Sequence, residues 1–150
     1  MGIIEYIGKA ATAWFLGFFP FFEIYLAVPA AIALGLDYFS AILWPVLGNF
    51  APVLLIIFFY ERLMKIERLR RWMEGRSSER FERWINRYGS VAIVLITPWV
   101  GIWVVAATAR ALGMHPRPLL IYSFISIALY AGIIAGGIYL GLDFFTEGSG

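Results

Sequence analysis

The sequence predicts an all-α integral membrane protein. It is read as an inverted repeat, each half a re-entrant helical hairpin followed by a transmembrane helix, with cytoplasmic amphipathic helices joining the halves. Three observations carry that expectation. Of 150 residues, 61% are hydrophobic and 15% charged, against roughly 45–50% and about 25% in soluble domains. The apolar excess therefore needs a neighbour other than water. Two uncharged runs, 38–60 and 118–142, exceed the ~20 residues that cross a bilayer. The third observation is an internal repeat.

Along a single membrane domain covering 1–150, repeat 1 occupies about 10–60 and repeat 2 about 88–142. Residues 10–36 are interrupted by Glu23, with Pro20 and Pro29 on either side, leaving 13 uncharged residues in each half. As helix each half is about 20 Å long, short of the ~30 Å of hydrocarbon. Two half-helices meeting between Pro20 and Pro29 therefore make a hairpin that returns to its own side. Residues 38–60 then span. Residues 88–113 carry Pro98 and Gly101 near their centre and read as the second hairpin, although proline is tolerated in plain spans too. Residues 118–142 span again, and Gly132, Gly136, Gly137 and Gly141 suit close approach of another helix.

A shift of 78 residues pairs Pro20 with Pro98, Ile24 with Ile102, Ala31 with Ala109, Ala33 with Ala111, Leu34 with Leu112 and Gly35 with Gly113. It also superposes the two spanning runs, so each half reads as hairpin then span. Between the halves, 61–87 holds nine of the twelve basic and five of the ten acidic residues. Leu63, Ile66, Leu69 and Met73 share one helical face, and Phe81, Trp84, Ile85 and Tyr88 another. Gly75 to Ser78 breaks the helix, with a new start at Glu79. Such helices lie on a membrane surface, and their basic charge assigns them to the cytoplasm. Both termini then fall outside, and the hairpins enter from opposite faces, the plan of many secondary transporters.

Chemistry is confined to few residues. With no cysteine and one histidine, thiolate and multi-histidine metal sites are excluded, and neither a cofactor nor an enzymatic activity is expected. Glu23 stands out, because a carboxylate at membrane depth costs roughly 2.5–3.5 kcal/mol on insertion scales. A proton- or cation-coupling site is the functional reading; a neutral carboxyl bonded to loose backbone is the structural one. Arg110 is suited to hold a phosphate bidentately, to pair with Glu23, or simply to snorkel. Phe19, Phe21, Phe22 and Tyr25 at the first tip, with Trp99 and Trp103 near the second, suit a lipophilic cation. Asn49, between Pro45 and Pro52, offers an amide to the same pathway or to backbone that the prolines free. His115, beside Pro116, Arg117 and Pro118, carries no particular role.

Pro20-Phe-Phe-Glu23-Ile-Tyr-Leu-Ala-Val-Pro29, Gly48-Asn49, Pro98-Trp-Val-Gly101-Ile-Trp103 and Leu112-Gly113 together resemble the small multidrug export protein family of prokaryotic membranes. The likeness covers roughly 12–142. It departs where the family carries an arginine two residues after the glutamate and this chain has Tyr25. The paired hairpins are also similar in plan to the DedA superfamily, a likeness that implies movement of lipids between leaflets.

The expected function is proton- or cation-coupled export of a small lipophilic or cationic compound. The pathway residues are Glu23, Pro20, Pro29, Tyr25, Asn49, Pro98, Gly101, Trp103 and Arg110. The alternative is a lipid or lipid-phosphate flippase or scramblase, and the third a non-transporting structural membrane protein. The expected location is the inner membrane, crossed more than once. Membrane lipids, a small-molecule or lipid substrate and a second copy of the chain, as homodimer or higher oligomer, are the expected partners. No nucleic acid is expected.

Overall fold

The computed structural model describes residues 1–20, 22–76 and 79–147, with side chains at all of these except 73, 74, 76, 80, 81 and 142–147. Phe21, Ser78 and the side chains of Met73 and Phe81, singled out above, lie outside the described residues. Among the described residues there are eight helices and no strand: α1 (Ile3–Phe18), α2 (Glu23–Ala33), α3 (Tyr38–Met64), α4 (Glu67–Arg76), α5 (Glu79–Tyr88), α6 (Ser90–Val100), α7 (Ile102–Ala111) and α8 (Pro116–Glu147).

Two of these, over Tyr38–Met64 and Pro116–Gly141, are long and apolar enough to cross a membrane. At ~1.5 Å per residue each also outruns the hydrocarbon core. The first therefore carries Glu61 and Arg62 beyond the uncharged run expected to span. The second begins at Pro116 rather than 118, because proline is suited to the first helical position, where no N–H is needed. Within the linker α4 runs through Gly75 to Arg76. Gly75 is thus inside the helix, where one glycine costs only about 1 kcal/mol, and the rest of the break expected over Gly75 to Ser78 lies outside the described residues.

The 78-residue offset holds in the backbone. It carries the last residue of α2, Ala33, onto Ala111 of α7, and the first residue of α3, Tyr38, onto Pro116 of α8. Each short helix ends in the same glycine cap. The Gly35 and Leu36 amides donate to the Ile32 and Ala31 carbonyls at 2.9 and 3.2 Å, and those of Gly113 and Met114 to Arg110 and Ala109 at 3.0 and 2.9 Å. Gly35 and Gly113 have φ of 86° and 84°, which glycine adopts without a Cβ clash. Both long helices then start on a side-chain cap. Asp37 Oδ2 accepts from the Ser40 amide at 3.0 Å, and His115 Nδ1 accepts from the Arg117 amide at 3.4 Å. The histidine therefore has a structural task.

At the same offset α5 falls on the first part of α1, and α6 on the rest. Where the first half has one helix the second has two, divided at Gly89, whose φ of 58° ends a helical path.

The chain forms two compact units, one of residues 1–48 and 128–150, the other of 49–127. In the first, α1 packs along α2, and Ala13, Ala31, Leu36 and Ala41 make a buried cluster flanked by Tyr6, Ile32 and Trp44. Small residues bring backbones together here. A Cβ on Gly17 would lie 3.0 Å from Pro45 Cα, and one on Gly48 2.8 Å from the Trp14 carbonyl carbon, closer still to the two carbonyl oxygens. A polar chain fixes the helix ends: Trp44 Nε1 donates to the Tyr6 hydroxyl at 3.0 Å, which lies 3.0 Å from Ser40 Oγ. Tyr38 of α3 meets Tyr139 of α8 edge-on at 5.4 Å.

In the second unit α7 is enclosed: Ile102 to Ala109 are all buried, with α6 and α4 against it. Pro98 lies inside α6 and cannot donate to the carbonyl four residues back, Val94. Ser126 Oγ of α8 donates to that carbonyl instead, at 3.3 Å. Phe50 of α3 meets Phe124 of α8 edge-on at 5.5 Å.

Gly132, Gly136, Gly137 and Gly141, expected to seat another helix, have nothing within 4 Å of a Cβ built on them. Within the chain the close approaches are made at Gly17 and Gly48.

Candidate functional site

The first hairpin turns over a few residues after Phe18. The Phe22 and Glu23 amides both donate to the Phe19 carbonyl, at 3.1 and 3.2 Å, which closes the turn and aims α2 back along α1. Pro20 sits in that turn, half-buried. Glu23 opens α2 with φ of 48° and is the one described non-glycine residue at positive φ. An L-residue held there costs about 1–3 kcal/mol.

The counterpart of Glu23 in repeat 2 is Gly101, with φ of 94°. The corner itself thus requires a left-handed residue, and glycine meets the requirement without strain. Repeat 1 meets it with a carboxylate that is only 6% exposed. The side chain stands in the first turn of α2, where the positive end of the helix dipole favours negative charge.

Tyr25, half a turn on, is exposed, as are Phe22 and Leu26, while Ile24, Ala27, Val28 and Ala31 face inward. Pro29 lies inside α2 and deprives the Tyr25 carbonyl of its helical donor. The first unit therefore assembles Pro20, Glu23, Tyr25 and Pro29 around one tip: a buried carboxylate beside an aromatic surface.

The second unit holds the others in three places. Pro98, Gly101 and Trp103 form the second tip. Thr97 Oγ1 donates back to the Ile93 carbonyl at 2.6 Å, the Gly101 amide caps α6 on the Thr97 carbonyl at 2.9 Å, and Trp103 is buried. Trp99, expected beside it, points out, 87% exposed. Asn49 is buried at 1% exposure in α3. Arg110 stands in the last turn of α7, about 14 Å along the helix from Gly101, so it belongs to the base of the hairpin and not to its tip. There it shares an open cavity of about 450 Å³ with Ile57 to Arg62 and Ala111.

Sequence reasoning missed several polar contributors. Thr97 and Ser126 are buried, and their hydroxyls bond the Ile93 and Val94 carbonyls of the helix that holds Pro98, a signal that the proline itself carried. The bend in α3 at Phe59, with φ −127° and ψ 18°, had no such signal, since no proline or glycine stands there.

Residues 23–134 match the family described as "Putative small multi-drug export protein". No curated protein and no solved structure matches the chain. The matched span begins at Glu23 and takes in α3, the second tip, the Arg110 cavity and α8 as far as residue 134. With most of its length covered by that match, this chain belongs to the small multidrug export protein family.

Proposed function

We propose that the chain is a small membrane exporter of a lipophilic or cationic compound, built as an inverted repeat of two re-entrant hairpins, with Glu23 as its proton- or cation-coupling group. The observation that carries this is Glu23 itself. A buried carboxylate occupies a strained corner that the other half of the chain makes with glycine. Strain and desolvation each cost a few kcal/mol, a cost that the glycine corner does not carry.

On this reading the basic α4 and α5 lie on the cytoplasmic side, and both termini outside.

A second copy of the chain completes the transporter, since two spans enclose little volume, and the open Gly132 to Gly141 face of α8 suits that contact. Lipid movement is the second reading, favoured by the Arg110 cavity.

Proteoliposomes decide between the two. Proton-linked flux of an organic cation that is abolished by Glu23→Gln supports export. Lipid exchange that survives Glu23→Gln and fails with Arg110→Ala replaces it with the lipid reading. Absence of both activities, with Glu23→Gln altering stability alone, leaves a structural membrane protein and defeats both.

A further inference from the structure

The cavity at the base of the second hairpin has three features that belong together. Its wall is α3 where that helix departs from helical geometry at Phe59, facing Arg110 and Ala111 at the end of α7. Bends of this kind usually trace to proline, glycine or an inserted group, and none of the first two stands at this position. Arg110 is half-buried, and its Nε is fully buried with no hydrogen-bond partner among the described residues. An arginine N–H left so is costly, and the side chain that carries it lines the cavity. The third feature is amphiphilic lining. Ile57, Phe58 and Phe59 make an apolar side, with Phe58 74% exposed. Glu61, Arg62 and Arg110 make a charged one, Arg62 standing 5.9 Å over the Phe59 ring.

We propose that this cavity binds the phosphodiester of an anionic membrane glycerophospholipid, with Arg110 and Arg62 on the phosphate and an acyl chain along Phe58. The charges decide the class. Two guanidinium groups and one carboxylate leave a single positive charge, which one phosphodiester neutralises, and Glu61 is left to accept from headgroup hydroxyls. Arginine is the side chain suited to two-point contact with phosphate oxygens. The depth agrees, since the cavity lies where α3 passes from uncharged residues to Glu61 and Arg62. A volume of about 450 Å³ is that of an ordinary small-ligand site, enough for a headgroup. The site goes beyond the export reading, because a resident lipid would be held whether or not anything is transported.

Native mass spectrometry of the purified full chain in detergent tests it, with dioleoyl phosphatidylglycerol, dioleoyl phosphatidylcholine and water-soluble glycerol 3-phosphate as probes. Phosphatidylglycerol is expected to bind about tenfold more tightly than phosphatidylcholine, and Arg110→Gln to lose about tenfold, the worth of one charge-assisted contact. Arg62→Gln weakens binding in the same direction, and Arg117→Gln, whose side chain is exposed outside the cavity, changes nothing. Unaltered phosphatidylglycerol binding by Arg110→Gln overturns the proposal, as does equal retention of the two lipids. Glycerol 3-phosphate bound as tightly as the lipid would make this a soluble-anion site instead. If Arg110→Gln fails to fold, Arg62→Gln decides alone, and undiminished binding there refutes the site.

Discussion

Replacing Gly48 by alanine adds one methyl group where α3 runs against α1. Built on the present backbone, that Cβ lies 2.8 Å from the Trp14 carbonyl carbon, 3.1 Å from the Phe18 amide nitrogen, and nearer still to the Trp14 oxygen. Ordinary contact begins near 3.4 Å, so the carbon alone is overlapped by about 0.6 Å. The obstacles are backbone atoms inside a helix, which cannot rotate away as a side chain does. The two helices must separate, and Gly17 against Pro45, one turn along, separates with them.

Overpacking of this kind costs typically 1–3 kcal/mol, while alanine in a helix otherwise gains about 1 kcal/mol over glycine. The control is Gly132→Ala, where a Cβ meets nothing within 4 Å and only the gain applies. Gly48→Ala should therefore unfold about 2 kcal/mol or more below Gly132→Ala. Titration with sodium dodecyl sulfate in mixed micelles, followed by tryptophan fluorescence, measures the difference. Equal midpoints for the two variants would refute the close approach of α1 and α3.

Glu23→Gly should raise stability by about 1–3 kcal/mol through relief of the left-handed strain and, on the export reading, abolish coupled flux; the same micelle titration with a flux assay measures both, and a destabilised variant would show that the carboxylate holds the turn together. Ser126→Ala strips the Val94 carbonyl of its donor and should cost about 1–3 kcal/mol, whereas Ser126→Thr, which keeps the hydroxyl, should recover most of it. Bonds from the Ser40 amide and hydroxyl hold the Asp37 carboxyl below its ordinary value of 3.8. A lowered folded value means stability that is complete above 3.8 and is lost as pH falls below it. Asp37→Asn should accordingly flatten the decline of thermal stability between neutral and acidic pH, and an unchanged slope would remove Asp37 from the account.

Much of the architecture is legible in the sequence because its causes are local. Uncharged length identifies Tyr38–Met64 and Pro116–Gly141, Pro20 and Glu23 mark the turn between α1 and α2, and the Leu-Gly pairs announce two matching caps. Glu23 is visible for the same reason, as a charge in an apolar run. What escaped depends on contacts between distant residues. Within the chain the helices meet closely at Gly17 and Gly48, which only the pairing of α1 with α3 selects. The bend at Phe59 has no sequence mark, so the cavity beside Arg110 was out of reach. Trp99 and Trp103 are indistinguishable by composition, and burial separates them.

The 78-residue offset that sets Glu23 against Gly101 bears on stoichiometry. Two identical half-length chains would present two equivalent carboxylates. In the single chain one corner carries a charge and the other a glycine, so each molecule offers one ionisable tip. Gly101→Glu would add a second, at a φ of 94° where a side chain is strained.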